Sequence, residues 1–409
     1  MKGRILEEPG EAVLDNAVLD LSGETAGEQA TDTASPFFVS KKAAAVLKHA
    51  ILDKYVVPFA SKVGKWAPDG RVVYLDGYAG PGRYDDGTPG SPALILESAA
   101  AISDFRKLDC YFIEKNRKNY QSLSTLVAEA RGQGLSAHAL QGRAERHLDH
   151  VLEAAHGAPL FAFLDPFGLG ITFEALTEQI FKSRRAGGPP TEVLLNFNAN
   201  AVRRIGGLLT SRKDTPGKPA TLKALDDACG GDWWQQEFLD SASNPEAVDR
   251  ITRGFALRVG QRVGAGAYTV EVRNRANLQV AYNLVLFTRH RDGLWLFGEA
   301  ASLAQVEWRR ACLPPDTPGM LFSPADTFDE EEEARRLGWI KRIRANLEEL
   351  LQQHVSFVVG DRPGEVLDGV IGEARAMHVR AAIKELYKEG KTTCSGVGDV
   401  PKLRMTRTC

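Results

Sequence analysis

The stretch Val72–Arg83 constrains the fold of this chain more than any other. It begins as an apolar, β-branched run, Val72–Leu75, which predicts a buried strand. The strand leads through Asp76 into a turn that contains Gly80 and Gly82. Because glycine lets a backbone bend tightly and pass close to a ligand, a strand that ends in a carboxylate and a Gly-x-Gly turn is typical of a nucleotide-like cofactor site at the carboxyl edge of an α/β sheet.

The same turn narrows the choice of cofactor. A dinucleotide fingerprint needs a third glycine where this chain has Asp85, and the phosphate-binding Gly-x-x-x-x-Gly-Lys-Ser/Thr loop is absent from the sequence. An Asp four residues before Gly-Pro-Gly resembles instead the first motif of class I S-adenosylmethionine (AdoMet)-dependent methyltransferases. The carboxylate of Asp76 would face the ammonium of that cofactor. A plain tight turn in an α/β protein is the alternative. The resemblance implies a cofactor site formed by Asp76, Gly77, Tyr78, Gly80 and Gly82.

Composition sets outer limits on the function. Of the 409 residues, 43% are hydrophobic and 25% are charged, and a net charge of −2 gives no global basic field for nucleic acid. The five cysteines form no Cys-x-x-Cys or Cys/His cluster, so neither a zinc site nor a disulfide framework is predicted. Their odd number favours a reducing, cytoplasmic setting. The sequence contains no apolar run of about 18 residues that would span a membrane and no secretion signal.

A second strand ends in another carboxylate. Cys110–Ile113 is apolar and is followed by Glu114, which fits the acid that accepts hydrogen bonds from the ribose hydroxyls in this fold. Glu114 lies 32 residues past Gly82 (114 − 82), beyond the usual spacing of about 20, because a Gly/Pro-rich loop intervenes. The helix after that loop is expected to begin with Ser91 as its N-cap. An ordinary strand-end glutamate is the alternative for Glu114.

A third strand, Ser136–Leu140, leads to Gln141. The adenine ring rests at this point in methyltransferase-like folds, so Gln141 is the candidate for contacting it. The fifth strand, Glu192–Asn198, would bring Asn196 and Asn198 within reach of the same cleft.

The fourth strand delivers the second decisive motif. Leu160–Leu164 is apolar and is followed by Asp165-Pro166-Phe167-Gly168. Methyltransferases that modify exocyclic amines carry Asp/Asn-Pro-Pro-Tyr/Phe here, and Asp-Pro-Phe-Gly resembles the motif of tRNA guanine-N2 methyltransferases. Asp165 and the Pro166 carbonyl would accept the two N–H groups of a poorly nucleophilic amine, and Phe167 would stack on the base. A simple strand-to-loop turn is the alternative.

The remaining segments complete a two-part chain. A helix over 41–63 precedes the first strand, and a helix over 249–263 followed by two strands, the last inserted antiparallel, completes a class I methyltransferase sheet. An irregular basic insertion carries Trp233 and Trp234, which form either a substrate surface or part of the core. The predicted divisions are a flexible N-terminal arm (1–36), a Rossmann-like doubly wound domain (37–323) with an insertion (about 203–244), an acidic connector or helix start (324–336), and a winged helix-turn-helix domain (337–409).

The winged-helix prediction rests on a basic-faced helix, 379–391, that a glycine terminates before two short strands. Arg380, Lys384 and Lys388 would lie on its exposed face and contact nucleic acid, with DNA favoured over RNA. Winged helices also bind proteins, and that alternative stays open.

Taken together, the motifs resemble one family. Residues 76–84, 87–92, 112–114 and 164–168 are similar to the three-Cys-motif partner proteins (TcmP), and the likeness extends over about 37–400. The resemblance implies a class I methyltransferase-like fold with a C-terminal winged helix. It also implies a partner, a three-cysteine protein that looks like a radical AdoMet enzyme. The acidic N-terminal arm is not expected of the family.

Two functional hypotheses follow from the sequence. The first is an AdoMet-dependent methyltransferase that N-methylates an exocyclic amine of a nucleic-acid base. The second is a catalytically inactive, DNA-binding scaffold that keeps the methyltransferase fold and serves the three-Cys protein. Methylation of a small molecule or a protein is disfavoured only by the winged-helix prediction.

Overall fold

The computed structural model describes residues 36–67, 69–166, 168–184, 186–212, 216–313 and 324–408. The predicted N-terminal arm, apart from Pro36, and the predicted stacking residue Phe167 lie outside the described residues.

The centre of the molecule is a seven-stranded sheet. Its strands are β1 (Arg71–Asp76), β2 (Lys107–Glu114), β3 (Ser136–Gln141), β4 (Leu160–Leu164), β5 (Thr191–Phe197), β6 (Gly266–Arg273) and β7 (Val280–Thr288). They lie in the order β3-β2-β1-β4-β5-β7-β6. The first five strands pair in parallel, whereas β7 is antiparallel to both β5 and β6. This mixed sheet with an antiparallel β7 confirms the predicted α/β class and is consistent with a Rossmann-like methyltransferase fold.

Helices cover both faces of the sheet, so the core is built in two layers. The first layer packs one face against α1 (Pro36–Val63), α2 (Ser91–Ala101), α3 (Arg117–Gly132) and α9 (Arg291–Ala311). The second packs the other face against α4 (Ala144–Ala154), a π-helix (Ala175–Lys182), α5 (Ala199–Thr210), α6 (Lys218–Cys229), α7 (Trp233–Leu239) and α8 (Asn244–Val263). Successive residues of a strand point to opposite faces. On β1, accordingly, Val72 and Tyr74 join the first layer, while Val73 and Leu75 join the second.

The prediction of an irregular insertion at 203–244 was wrong, because its described residues hold most of α5 and the whole of α6 and α7. A proline in the first turn starts α6, and Gly230 ends it in a left-handed conformation. Trp234 is fully buried and donates a hydrogen bond to Asp226 Oδ1 at 2.8 Å. Trp233 is half-buried under the Arg258 guanidinium. The two tryptophans therefore belong to the core alternative rather than to an exposed aromatic surface.

Two predicted helix starts also differ from the structure. Helix α1 begins at Pro36 rather than at Lys41. Helix α2 begins at Ser91 with Gly90 as its N-cap residue, and no side chain caps it. The Ser91 hydroxyl points into the sheet edge instead, where it bonds to Asp76.

A smaller unit follows, with its own apolar core. It consists of α10 (Pro324–Gln353), β8 (Ser356–Val358), α11 (Pro363–Val366), α12 (Ala376–Lys388) and β9 (Arg404–Thr406). Strands β8 and β9 are antiparallel, and a bridge between Thr392 and Arg407 extends the pairing. The indole of Trp295 on α9 packs into this core and donates to the Gly360 carbonyl at 3.3 Å.

The acidic stretch 324–336 is the first part of α10, which agrees with a helix start rather than a separate connector. Arg335 and Arg336 reach back three or four residues to the glutamates of this stretch, and such pairs favour a helix. Within the described part of the chain, every helix is too short or too polar to cross a membrane.

Candidate functional site

Four polar side chains end neighbouring strands and face the same side of the sheet. Asp76 and Glu114 are the last residues of β1 and β2, Asp165 follows β4, and Asn196 is the penultimate residue of β5. Each lies two residues after an apolar side chain of the first core layer, so strand alternation points all four towards that layer. The parallel strands thus gather three carboxylates and an amide at one edge.

Asp76 organises the glycine turn from beneath. Its side chain is fully buried, Oδ1 accepts a hydrogen bond from the Tyr78 N–H at 3.1 Å, and Oδ2 accepts one from the Ser91 hydroxyl at 2.6 Å. Burial raises the pKa of Asp76 to about 7, although these two hydrogen bonds oppose the shift, and the nearby Asp165 charge adds to it. A cofactor ammonium placed here would favour the ionised form.

The glycines have conformational and steric reasons to be glycine. Gly80 and Gly82 have φ angles of 67° and 85°, in the left-handed region that other residues rarely adopt. A Cβ on Gly82 would lie 2.5 Å from Leu126 Cδ2, whereas a Cβ on Gly80 would project into open space. The turn at Gly80 therefore presents bare backbone to open space.

Glu114 joins the first two loops of the site. Its Oε2 accepts a hydrogen bond from the Gly80 N–H at 2.8 Å, and its Oε1 accepts one from the Asn116 N–H at 2.5 Å. Gln141 is paired in register with Glu114 on β3, and its side chain is exposed. The structure therefore brings the predicted ribose and adenine residues to the same edge as the glycine turn.

Asp165 of the second motif forms an ion pair that the sequence did not predict. Asp165 Oδ2 lies 2.5 Å from the Lys48 ammonium of α1, and Asp165 Oδ1 accepts a hydrogen bond from Asn196 Nδ2 at 2.6 Å. Both carboxylate oxygens are thus engaged. Tyr282 on β7 fixes this part of α1, since its hydroxyl donates to the Ala44 carbonyl one turn before Lys48.

Burial and the Asp165 carboxylate determine whether Lys48 and its neighbour His49 are charged. Burial acts to lower the pKa of Lys48, but the charge and hydrogen bond of Asp165, together with Tyr282 and Tyr84, hold that pKa above its ordinary value. Burial, and then the neighbouring Lys48 charge, lower the pKa of His49 to about 4. Lys48 is therefore a cation and His49 is neutral at physiological pH.

The loops after β1 and β4 pack against each other. Gly170 has a φ angle of 64°, and a Cβ there would lie 2.3 Å from Pro166 Cγ and 3.1 Å from the Tyr78 hydroxyl. Tyr78 of the first motif thus touches the loop that carries Asp165 and Pro166. The two motifs form one continuous site.

Three buried polar atoms of this region lack a hydrogen-bond partner among the described residues: the Tyr74 hydroxyl, the Tyr78 hydroxyl and Asn196 Oδ1. Buried polar groups in native proteins are nearly always paired, so an unpaired group calls for an explanation. A nucleoside cofactor with hydroxyl and ammonium groups offers suitable partners. Together with the open space at Gly80, these atoms fit a ligand of the AdoMet type.

The predicted nucleic-acid residues share one face of α12. Lys384 and Lys388 are exposed, whereas Arg380 is half-buried and donates to the Gly396 carbonyl at 3.1 Å. Gly396 lies over the helix, because a Cβ there would come within 3.2 Å of the Lys384 side chain. Arg380 therefore holds the following loop in place, and the two lysines carry the exposed charge.

A cleft of about 890 Å³ lies away from the strand-end residues, between β6, α8 and the loop 363–373. It contains none of the four strand-end side chains. We place the site at the carboxyl edge of the sheet because the paired loops, the buried carboxylates and the unpaired polar atoms converge there.

Comparisons with known proteins add little to this geometry. Neither a family model nor a curated protein matches the chain. Among solved structures, the chain is similar to the crystal structure of M. jannaschii TYW2 in complex with AdoMet, with a TM-score of 0.25 and 10% identity over 57% of this chain and 74% of that chain. A likeness this weak carries no argument, and membership of the TcmP family stays a prediction.

Proposed function

We propose that this protein is an AdoMet-dependent methyltransferase that N-methylates an exocyclic amine of a nucleic-acid base. The observation that carries the proposal is the convergence of Asp76, Glu114, Asp165 and Asn196 on one face at the carboxyl edge of the sheet, beside buried polar atoms that lack partners. When bound, AdoMet supplies an electrophilic methyl group, whose transfer to a nitrogen lone pair leaves a neutral thioether and releases a proton from the nitrogen.

The chain's own residues have separate tasks in this proposal. Asp76 and Glu114 hold the glycine turn in shape and offer carboxylate oxygens to the ammonium and ribose of the cofactor, and Gln141 lies where adenine would rest. At the next two strands, the Pro166 carbonyl and the polar pair of Asp165 and Asn196 orient the amine. Phe167, which lies outside the described residues, keeps its predicted stacking role.

A winged-helix unit that presents the nucleic acid belongs to the same proposal. The order α10, β8, α11, α12, the Thr392 bridge and β9 supports it, because a helix, a strand, two helices and a two-stranded wing define that motif. Exposed Lys384 and Lys388 would contact phosphates. A three-Cys partner protein that looks like a radical AdoMet enzyme, and a cytoplasmic setting, complete the proposal on the strength of the sequence alone.

The test is transfer of a labelled methyl group from AdoMet to DNA and RNA, with and without the three-Cys protein. We expect label in an amine-bearing base, and loss of transfer in Asp165→Ala with the fold intact. The matched control is Asp104→Ala, an exposed acid on the loop after α2, which should keep wild-type activity. Full transfer by Asp165→Ala would remove this side chain from the chemistry.

One observation favours a second candidate, the inactive scaffold. The Lys48 ammonium already takes the place on Asp165 Oδ2 that an acceptor amine would use. A scaffold would bind DNA and the three-Cys protein equally well when Glu114 is replaced by Gln. Loss of either interaction in that variant would argue against the scaffold.

A further inference from the structure

We propose that Asn196, rather than Asp165, is the side chain that accepts the N–H group of the methyl acceptor, and that Lys48 is a positioning residue that gives Asn196 this role. The inference rests on the proposed function, since it requires an amine acceptor. It assigns the acceptor-binding group to β5 and its support to α1.

The orientation of the Asn196 amide is fixed by its neighbour. Its Nδ2 lies 2.6 Å from Asp165 Oδ1, and the reversed amide would place two oxygens, one of them charged, at that distance. The Asn196 Oδ1 atom therefore points away from Asp165. It is buried and has no hydrogen-bond partner among the described residues. An amide oxygen only accepts hydrogen bonds, so the vacant position selects a ligand with an N–H or O–H donor.

Lys48 explains why Asp165 is not itself the acceptor. The carboxylate bonds to an ammonium at 2.5 Å through one oxygen and to the Asn196 amide through the other. A neutral exocyclic amine is a weaker donor than an ammonium and would not displace Lys48 from this charge-assisted pair. Asp165 instead holds the Asn196 amide in place, while Lys48 balances its charge.

The location of Asn196 suits contact with a ligand. Strand alternation places its side chain on the same face as Asp76 and Asp165, towards α1 and away from the layer that contains Leu195 and Phe197. The Tyr74 hydroxyl, also unpaired and buried, lies on that face as well. A competing explanation is a single bound water that donates a hydrogen bond to the amide oxygen.

Sinefungin tests the proposal without a known acceptor. It is an AdoMet analogue with an amine-bearing carbon in place of the methylated sulfur, so its amine occupies the position of the transferred methyl group and faces the acceptor site. We expect the wild-type protein to bind sinefungin about tenfold more tightly than S-adenosylhomocysteine (AdoHcy), as one hydrogen bond to a charged donor provides. In Asn196→Leu this ratio should fall to about one, while the AdoHcy Kd stays within about threefold of wild type.

Three further variants make the result specific. Lys48→Arg, which keeps the cation, should retain the wild-type ratio. Asn283→Leu is the matched control, because Asn283 is a buried β7 asparagine whose Nδ2 bonds to Thr252 Oγ1, and it should also retain the ratio. If Asn196→Leu fails to bind AdoHcy, the smaller replacement Asn196→Ala decides the ratio instead.

The outcomes separate this inference from the proposed function. An unchanged ratio in an Asn196 variant that binds AdoHcy normally would overturn the inference, assign the Oδ1 atom to a bound water and leave the methyltransferase proposal standing. Failure of the wild-type protein to bind either analogue would overturn the proposed function, and this inference with it.

Discussion

Replacing Asp76 by Asn should remove a large pH dependence from the stability of the protein. The Asp76 carboxyl is fully buried beneath the glycine turn and accepts hydrogen bonds from the Tyr78 N–H and the Ser91 hydroxyl. An asparagine has the same shape and can still accept one of these bonds through its oxygen. What it lacks is a proton to release.

The sign and size of the effect follow from the raised pKa of Asp76, about 7 in the folded state against 3.8 ordinarily. Between these values the unfolded chain gives up a proton that the folded chain keeps. The folded state therefore loses stability as the pH rises to about 7. The complete loss is about 4 kcal/mol, at 1.36 kcal/mol for each of about three pKa units. Between pH 5.5 and 7.5, the part of this stability loss that can be measured near neutral pH is about 2 kcal/mol.

Urea unfolding of the wild type and Asp76→Asn at pH 5.5 and pH 7.5 measures this difference. The wild type should lose about 2 kcal/mol relative to the variant between the two pH values. Asp104→Asn, which changes an exposed acid, should follow the wild type. If Asp76→Asn and the wild type changed in parallel, the carboxyl would already be ionised in the folded state, and the account of the buried acid would be wrong.

Three further predictions concern the turn, the core and α12. Gly82→Ala should lower the free energy of unfolding by about 1–3 kcal/mol, because the φ angle of Gly82 is 85° and a methyl group of Leu126 occupies the space that the new Cβ needs. Gly132→Ala, whose new Cβ would lie in open space, should leave the free energy of unfolding unchanged. Urea unfolding midpoints of the two variants test this difference, and equal midpoints would contradict the steric argument. Burial raises the pKa of Glu192 to about 7, so the folded state loses stability as the pH rises towards 7. The melting temperature of Glu192→Gln should therefore fall less than that of the wild type over this pH range. Lys384→Glu with Lys388→Glu should weaken duplex DNA binding and reduce its salt slope by about two, measured by anisotropy between 50 and 200 mM salt; an unchanged slope would exclude this face.

The sequence predicted the sheet and its strand-end residues well. Runs of four or five apolar residues followed by Asp or Glu indicate both the strand and its end, and alternation then gives the face. The sequence alone therefore places Asp76 and Glu114 at one edge of the sheet. The inverted β7 followed from the helix and two strands that close the pattern.

The contacts of the second motif could be predicted only in part. Lys48 and Asp165 are 117 residues apart, and no local pattern joins them. One signal was present: Lys48 lies four residues from Ala44 and from Leu52, both buried on α1, so it occupies the apolar stripe of its helix. A lysine in such a stripe needs an acidic partner, but the sequence does not say which.

The helices at 203–244 were missed for a different reason. Charged residues and glycines in this segment masked the periodic apolar positions, although a proline in the first turn of α6 and Gly230 at its end were both present as signals. Buried Trp234 and half-buried Trp233 supply the packing that holds α6 and α7. Tertiary burial of that kind is not visible in a local pattern.

Calorimetric titration with AdoMet and AdoHcy tests the central claim most directly. We predict micromolar binding by the wild-type protein, about −8 kcal/mol, and a loss of about tenfold or more in Glu114→Gln, whose carboxylate should reach the ribose. Glu129→Gln, an exposed residue of α3, should bind like the wild type. A folded protein that binds neither compound at millimolar concentration would contradict the claim that this sheet edge holds AdoMet.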